Sequence, residues 1–128
     1  MENYIKEFLL MADSKALATY ANNSINVVPV STIKVVDDEI WLIDYFMEKT
    51  VKNILENEKV SLVAWKGLFG YQLKCVADYE VAGEKFNKAV DFVKEILPER
   101  VVKGLLILKI EEAFDIAPTK NTKEEFGL

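Results

Sequence analysis

Residues 25–36 read Ile-Asn-Val-Val-Pro-Val-Ser-Thr-Ile-Lys-Val-Val, a run of mostly β-branched side chains with Pro29 near its middle. Because β-branched residues favour extended backbone, we predict one strand over Ile25–Val36. Proline has no N–H to donate to a sheet, so this strand should lie at a sheet edge or bulge at Pro29. The Asn22-Asn23 pair before it predicts a tight turn, because Asn tolerates positive φ.

The remaining strands follow one another in hairpin order. Besides Ile25–Val36, the predicted strands are Ala16–Tyr20, Ile40–Ile43, Val60–Trp65, Tyr71–Val81 and Val101–Ile110, the last with a bent continuation at Ala113–Ile116. Most of them are joined without a crossover helix, which disfavours a parallel sheet. We therefore predict a mainly β fold with helices (α+β), built on a six-stranded antiparallel β-barrel, as a single domain over residues 1–128.

Three apolar stripes at helical spacing lie between or before these strands. They consist of Ile5, Phe8, Leu9 and Ala12; of Val51, Ile54 and Leu55; and of Phe86, Ala89, Val90, Val93, Ile96 and Leu97. We predict that the third helix begins after Gly83 and ends before Pro98. We expect the polar tail from Pro118 to be mobile or to depend on a partner.

Composition excludes several classes of function. The 128 residues carry 16 basic and 21 acidic side chains, a net charge of −5, which argues against nucleic-acid binding. No apolar run reaches the ~18 residues of a membrane span, and the N-terminus does not resemble a signal peptide, so we predict a cytoplasmic protein. The chain has no histidine, one cysteine (Cys75) and one arginine (Arg100). We therefore predict no His-based triad and no metal site. Its chemistry would then come with a cofactor.

The segment Asp44–Asn53 is the strongest candidate for ligand binding. A helix that begins near Lys49 presents backbone N–H groups to an anion, and Lys49 and Thr50 add a charge and a hydroxyl that suit a phosphate. Alternatively, Thr50 caps the helix and Lys49 is a solvated lysine. Three apolar residues precede them, and either form a wall for a flat aromatic ring or plug the barrel end: Tyr45, Phe46 and Met47.

Pro29 marks a second candidate region. We expect it to interrupt main-chain pairing across Val28, Pro29, Val30 and Ser31, which leaves backbone groups for a planar heterocycle; the alternative is a bulged edge. Gln72 either hydrogen-bonds a ligand ring or is an inert strand residue. Cys75 is interpreted as a small buried side chain rather than a nucleophile.

The order of several short motifs resembles the pyridoxamine 5'-phosphate oxidase-like superfamily, and is most similar to its small flavin-binding proteins. The motifs are Asn26-Val27-Val28-Pro29-Val30-Ser31, Asp44-Tyr45-Phe46-Met47-Glu48-Lys49-Thr50 with Asn53, Val60-Ser61-Leu62, and Gly70-Tyr71-Gln72-Leu73-Lys74. The resemblance implies a split β-barrel, a homodimer, and one flavin mononucleotide (FMN) per subunit at the dimer interface. It implies that Lys49 and Thr50 hold the phosphate, that 28–31 and 44–47 line the ribityl chain and ring, and that Gln72 contacts the ligand.

Two departures from the superfamily limit the activity that the resemblance implies. The phosphate-oxidising enzymes have additional arginines and an Arg-x-His-type motif near the C-terminus, and this chain has no histidine and no arginine after Ile110. We therefore do not expect pyridoxamine phosphate oxidation, and no residue is assigned a catalytic role. The prediction is an FMN-binding protein that transfers electrons or acts as a flavin-dependent oxidoreductase. The alternatives are a deazaflavin-dependent oxidoreductase and a dimeric interaction module without a cofactor.

Overall fold

Residues 1–118, the part of the chain that the computed structural model describes, form three helices and seven strands. The helices are α1 (Asn3–Met11), α2 (Glu48–Glu56) and α3 (Glu84–Ile96). The strands are β1 (Ser14–Ala21), β2 (Ser24–Pro29), β3 (Ile33–Val36), β4 (Glu39–Asp44), β5 (Lys59–Lys66), β6 (Phe69–Glu80) and β7 (Gly104–Asp115). Among these residues no helix is both long and apolar enough to cross a membrane. The predicted tail after Pro118 lies outside the described residues.

All seven strands belong to one antiparallel sheet in the order β2-β1-β5-β6-β7-β4-β3. In a flat sheet, six strand spacings would separate β2 from β3 by about 29 Å. The two edge strands are nevertheless joined by only three residues, Val30–Thr32, and four residue steps reach at most about 14 Å. The sheet must therefore roll up until its edges approach, which gives an open antiparallel barrel.

The prediction of one strand over Ile25–Val36, and hence of six strands, was wrong. The chain leaves the sheet at Val30 and enters it again at Ile33 on the opposite edge, so that the run becomes β2 and β3. β-Branched side chains favour extended backbone, but they do not show where an extended chain changes its neighbour.

The placement of Pro29 at a sheet edge is confirmed. The expected interruption of pairing is wrong for Val28 and Pro29, whereas Ser31 lies outside both ladders. The ladder with β1 runs through Val28 and Pro29, and the N–H of Val30 donates to the carbonyl of Lys15 over 2.9 Å. Hydrogen-bonded pairs alternate along an antiparallel ladder. The backbone N–H and carbonyl of Val28 therefore point toward β1, as those of Val30 do, and the nitrogen of Pro29 points toward the free edge. The missing N–H therefore removes no hydrogen bond from the sheet.

The inner face of the barrel is a single apolar core. Its fully buried leucines come from five strands: Leu17, Leu42, Leu62, Leu73, Leu106 and Leu108. The predicted α1 stripe packs into this core, where Phe8 makes edge contacts with the rings of Phe69 and Tyr71. A register shift between Lys74 and Cys75 on β6, opposite β7, adds local bending where the sheet curls.

The outer face of the barrel is covered on one side only. α3 buries Ala89 and Val93 against the outward side chains of β4 and β7, among them Trp41 and Leu105. The strands β2, β1 and β5 have no helix on their outward side in the described chain. We name their outward apolar side chains the uncovered face: Ala16, Ala18, Tyr20, Ile25, Val27, Pro29, Val63 and Trp65. Two of these are especially exposed, Ile25 at 80% and Val27 at 65%.

Candidate functional site

The start of α2 borders a cleft of about 260 Å³ beside β2. Met47 is the N-cap residue, and its own side chain makes no capping hydrogen bond. The first backbone N–H groups of a helix have no intrahelical acceptor, so the amides of this turn can bind an anion. The cleft is lined by Asn26, Val28, Phe46, Met47, Glu48, Lys49 and Thr50. The predicted phosphate site therefore lies at a helix start, where the amides that follow Met47 have no intrahelical acceptor.

Hydrogen bonds between side chains hold α2 against β1 and β2. The amide of Asn26 donates to the Thr50 hydroxyl over 2.9 Å, and the amide of Asn53 donates to the Thr19 hydroxyl over 3.1 Å. Thr50 is wholly buried and does not cap the helix, so the capping alternative is wrong. Lys49 is exposed at the rim of the cleft.

Asp44 fixes the connection between β4 and α2. Its buried carboxylate accepts the backbone N–H of Met47 over 2.8 Å and the hydroxyl of Tyr79 over 2.6 Å. Burial, and then the hydrogen bond to Asp44, raise the pKa of Tyr79 well above its usual range. Gly104 lies opposite Asp44 in the sheet, where a Cβ would collide with the Tyr79 ring. Both carboxylate oxygens of Asp44 thus act within the fold. The contact of Asp44 with the ligand stays a prediction.

Tyr45 and Phe46 project from this connection in different directions. The Tyr45 hydroxyl lies 3.0 Å from the Thr32 hydroxyl, and its ring packs beside the cluster under α3. Phe46 is 75% exposed and lines the cleft, so it does not plug the barrel end. Met47, the third residue of this group, is half-buried and also lines the cleft.

The residues around Pro29 border a second cleft of about 500 Å³, adjacent to the first. Val28 lines both clefts, and Pro29 and Val30 line the second together with Trp65. Ser31 is exposed and lines neither. The structure therefore brings the end of β2 and the start of α2 together through Val28.

Gln72 lies apart from both clefts. It is on β6, three strands away from β2, and its amide donates to the hydroxyl of Ser61 over 3.2 Å. Residues that pair across a ladder project from the same face of the sheet. Gln72 pairs with Val63, which belongs to the uncovered face, so Gln72 projects from the outer face. Within one chain it cannot reach a ligand at the start of α2.

Three further residues belong to this region, although the sequence analysis did not assign them to the site. Asn26 lies two positions before Val28 on β2 and therefore on the same face of the strand, a periodicity that could have identified it. Arg100 and Lys103 come from the connection between α3 and β7 and contact the rings of Tyr45 and Phe46. No local signal predicts those two contacts.

Cys75 is not part of the site. Its side chain belongs to the barrel core, where burial raises the pKa of the thiol to about 12. A thiol with so high a pKa is a poor nucleophile at neutral pH. The interpretation of Cys75 as a buried core residue is therefore confirmed.

Comparison with known proteins places this geometry in a family. The family model described as Pyridoxamine 5'-phosphate oxidase matches residues 1–120. An uncharacterized protein of Methanocaldococcus jannaschii is 36% identical over 105 residues, which are 78% of this chain and 70% of that protein. The chain belongs to the pyridoxamine 5'-phosphate oxidase family.

Solved structures share the fold at low sequence identity. HupZ of Group A Streptococcus aligns over 92% of this chain and 95% of its own, with a TM-score of 0.77 and 17% identity. An FMN-binding protein from Syntrophomonas wolfei subsp. wolfei aligns over 91% of both chains, with a TM-score of 0.74 and 19% identity. At these identities the likeness shows the fold alone.

Proposed function

We propose that the protein binds FMN, with the phosphate at the start of α2 and the ring along the end of β2. The observation that carries the proposal is the first turn of α2, where the amides after Met47 have no intrahelical acceptor and border a cleft with Lys49 at its rim. The backbone N–H groups of a helix start and a nearby ammonium are the donors that a phosphate monoester requires. The residues present therefore fit the phosphate end of FMN.

The free edge of β2 suits a planar ring with hydrogen-bonding edges. Alternation along the ladder leaves the N–H and carbonyl of Val27 and the carbonyl of Pro29 facing away from β1. These groups offer one donor and two acceptors beside the apolar wall formed by Val28 and Val30. Pro29 itself prevents another strand from pairing fully at this edge.

Bound FMN would supply one- and two-electron transfer, and the chain supplies its position and the charges around it. Among the described residues that line the first cleft, only Glu48 and Lys49 carry charge, and both are at the surface. None of these lining residues is a buried acid or base that would commit the cleft to one substrate. We therefore propose electron transfer or a flavin-dependent oxidoreduction, and not pyridoxamine phosphate oxidation.

We further propose that the protein is a homodimer through the uncovered face. Large exposed apolar patches on soluble proteins mark interaction sites, and Ile25, Val27 and Trp65 lie on one such face beside β2. Gln72 is on the same side of the sheet, so it could contact FMN only if a second subunit presents it. A dimer through this face would also exclude water from the ring.

The visible absorption spectrum and a thermal-shift titration with FMN test the proposal. We expect two flavin bands in the near-ultraviolet and blue that bleach with dithionite, and an increase in Tm with added FMN. Lys49→Ala should weaken FMN binding. Lys109→Gln should leave FMN binding unchanged, because Lys109 lies on the part of β7 that pairs with the far end of β4. If Tm rises with an added deazaflavin but not with FMN, the cofactor is the deazaflavin. Colourless protein without any Tm shift would support the cofactor-free module and end the proposal.

Light scattering after size-exclusion chromatography tests the dimer. We expect Val27→Asp to convert a dimer to a monomer, because a carboxylate in an apolar interface is strongly disfavoured. Val81→Asp is the matched control, since Val81 is similarly exposed but lies between β6 and α3, away from the uncovered face. A monomeric wild-type protein at micromolar concentration would contradict the dimer.

A further inference from the structure

The connection between α3 and β7 returns to the end of β4 and carries two cations beside the connection from β4 to α2. The backbone N–H of Lys103 donates to the carbonyl of Asp44 over 2.9 Å, which joins this connection to the end of β4. Arg100 lies within the same connection, and its N–H donates to the carbonyl of Leu97 over 3.0 Å. The backbone that carries both cations is thus hydrogen-bonded at two points.

Each of the two cations lies over an aromatic ring of the β4–α2 connection. The guanidinium carbon of Arg100 is 5.3 Å from the Tyr45 ring centroid, and the Lys103 ammonium is 4.6 Å from the Phe46 ring centroid. Cation–π contact restrains both side chains. Phe46, the ring under Lys103, lines the cleft, whereas Tyr45, the ring under Arg100, packs beside the cluster under α3. Neither cation forms an ion pair with any residue from 1 to 118, although acidic side chains outnumber basic ones in the chain as a whole.

The local charge balance shows why these cations matter. At the start of α2, Lys49 is opposed by Glu48 in the same cleft and by the buried carboxylate of Asp44 beneath Met47. These three side chains sum to one negative charge, which opposes a dianionic phosphate. Arg100 and Lys103 change the sum to one positive charge.

We propose that Arg100 and Lys103 complete the phosphate site and make the protein select FMN over riboflavin. The inference rests on the proposed function, because it assigns residues to the phosphate end of that cofactor. A full charge near a phosphate changes Kd by between about threefold, at the dielectric of water, and a few tens-fold, at about the dielectric of a protein surface. We expect about tenfold for each residue.

Titration calorimetry with FMN and with riboflavin provides the test. The variants are Arg100→Gln and Lys103→Gln, with Lys103→Arg to retain the charge. Lys109→Gln is the control, because Lys109 pairs with Glu39, five residues from Asp44 along β4. That separation is about 17 Å, longer than the screening length at 0.1 M salt.

We expect each Gln variant to raise the Kd for FMN about tenfold and to leave the Kd for riboflavin unchanged. Lys103→Arg and Lys109→Gln should bind both flavins as the wild type does. Wild-type binding of FMN, but not of riboflavin, should weaken as salt rises from about 0.05 M to about 0.5 M, a measurement that needs no variant.

The outcomes separate the two proposals. Wild-type protein that binds neither flavin contradicts the proposed function. Wild-type protein that binds FMN, with Gln variants that bind it equally well, overturns the role of Arg100 and Lys103 and leaves the proposed function standing. An equal loss of FMN and riboflavin affinity also overturns that role, since the residues would then act on the ring or on the fold.

Discussion

The helices α1 and α2 both pack against the barrel, but by different kinds of contact. α1 buries Ile5, Phe8 and Leu9. The ring centroids of Phe8 and Phe69 are 4.9 Å apart, in an edge-to-face contact. α2 buries two polar residues on its inner side: Thr50 bonds Asn26, and Asn53 bonds Thr19.

The difference bears on what each helix does. Apolar packing is strong but has little directional preference, so α1 contributes mainly free energy of folding. Hydrogen bonds between buried side chains have defined lengths and angles, and a buried polar group without a partner is destabilising. The underside of α2 is therefore suited to hold the helix start at a fixed place beside β2, which is what an anion site requires.

The largest effect on stability is expected at α1. Phe8→Ala should lower the free energy of unfolding by about 3–5 kcal/mol, because it leaves a cavity in the aromatic cluster. Chemical denaturation measures the loss, and the rate at which a thiol reagent labels Cys75 provides a second readout, since that thiol is buried. Below the unfolding transition, FMN affinity should stay within about twofold of wild type. A selective loss of FMN binding would contradict the division between the helices.

A smaller loss of stability, with a change in binding, is expected under α2. Asn53→Ala should lower the free energy of unfolding by about 1–3 kcal/mol, because the buried Thr19 hydroxyl loses its donor. FMN affinity should also fall, because the helix start is less firmly placed. The double variant Thr19→Val/Asn53→Leu should regain part of the stability, since both polar partners are then removed together. Full recovery of FMN affinity in that double variant would argue against a positioning role.

Tyr79→Phe tests the support beneath the helix start. The variant removes the hydroxyl that donates to Asp44 but keeps the ring over Gly104. We expect a loss of about 1–2 kcal/mol in denaturant titrations, because a charged acceptor loses a hydrogen bond. Tyr4→Phe is a matched control, since Tyr4 is 54% exposed on α1 and lies outside the uncovered face. Equal effects of the two variants would mean that Asp44 does not depend on Tyr79.

The smallest effect on stability is expected at Lys49. Because its side chain is exposed, Lys49→Ala should change the free energy of unfolding by less than about 0.5 kcal/mol. It should nonetheless raise the Kd for FMN by about tenfold. Thermal unfolding without ligand and a fluorescence titration with FMN measure the two quantities. A stability loss as large as that of Asn53→Ala would place Lys49 in the fold rather than in the site.

Features encoded by short stretches of sequence were predictable. The α1 stripe, the edge position of Pro29 and the tight turn at Asn22-Asn23, where both φ angles are positive, each follow from residues a few positions apart. The position of Lys49 in the first turn of α2 was predictable for the same reason.

Features that join distant segments were not predictable in this way. Asp44 and Tyr79 are 35 residues apart, and nothing near either residue indicates that they share a hydrogen bond. Arg100 and Lys103 contact Tyr45 and Phe46 only because β7 pairs with β4. The outward direction of Gln72 depends on the register of three successive ladders. The homodimer and the flavin contacts remain predictions.

The short link Val30–Thr32 has a consequence for how such a barrel can change over evolution. Strand registers on both sides of the link are fixed by their own hairpins, so one residue inserted there would lengthen the bridge without shifting any ladder. The gap between β2 and β3 could then widen by up to about 3.5 Å per added residue. A protein of this shape could thus accommodate a bulkier ligand through a change in loop length, while its hydrophobic interior stays the same.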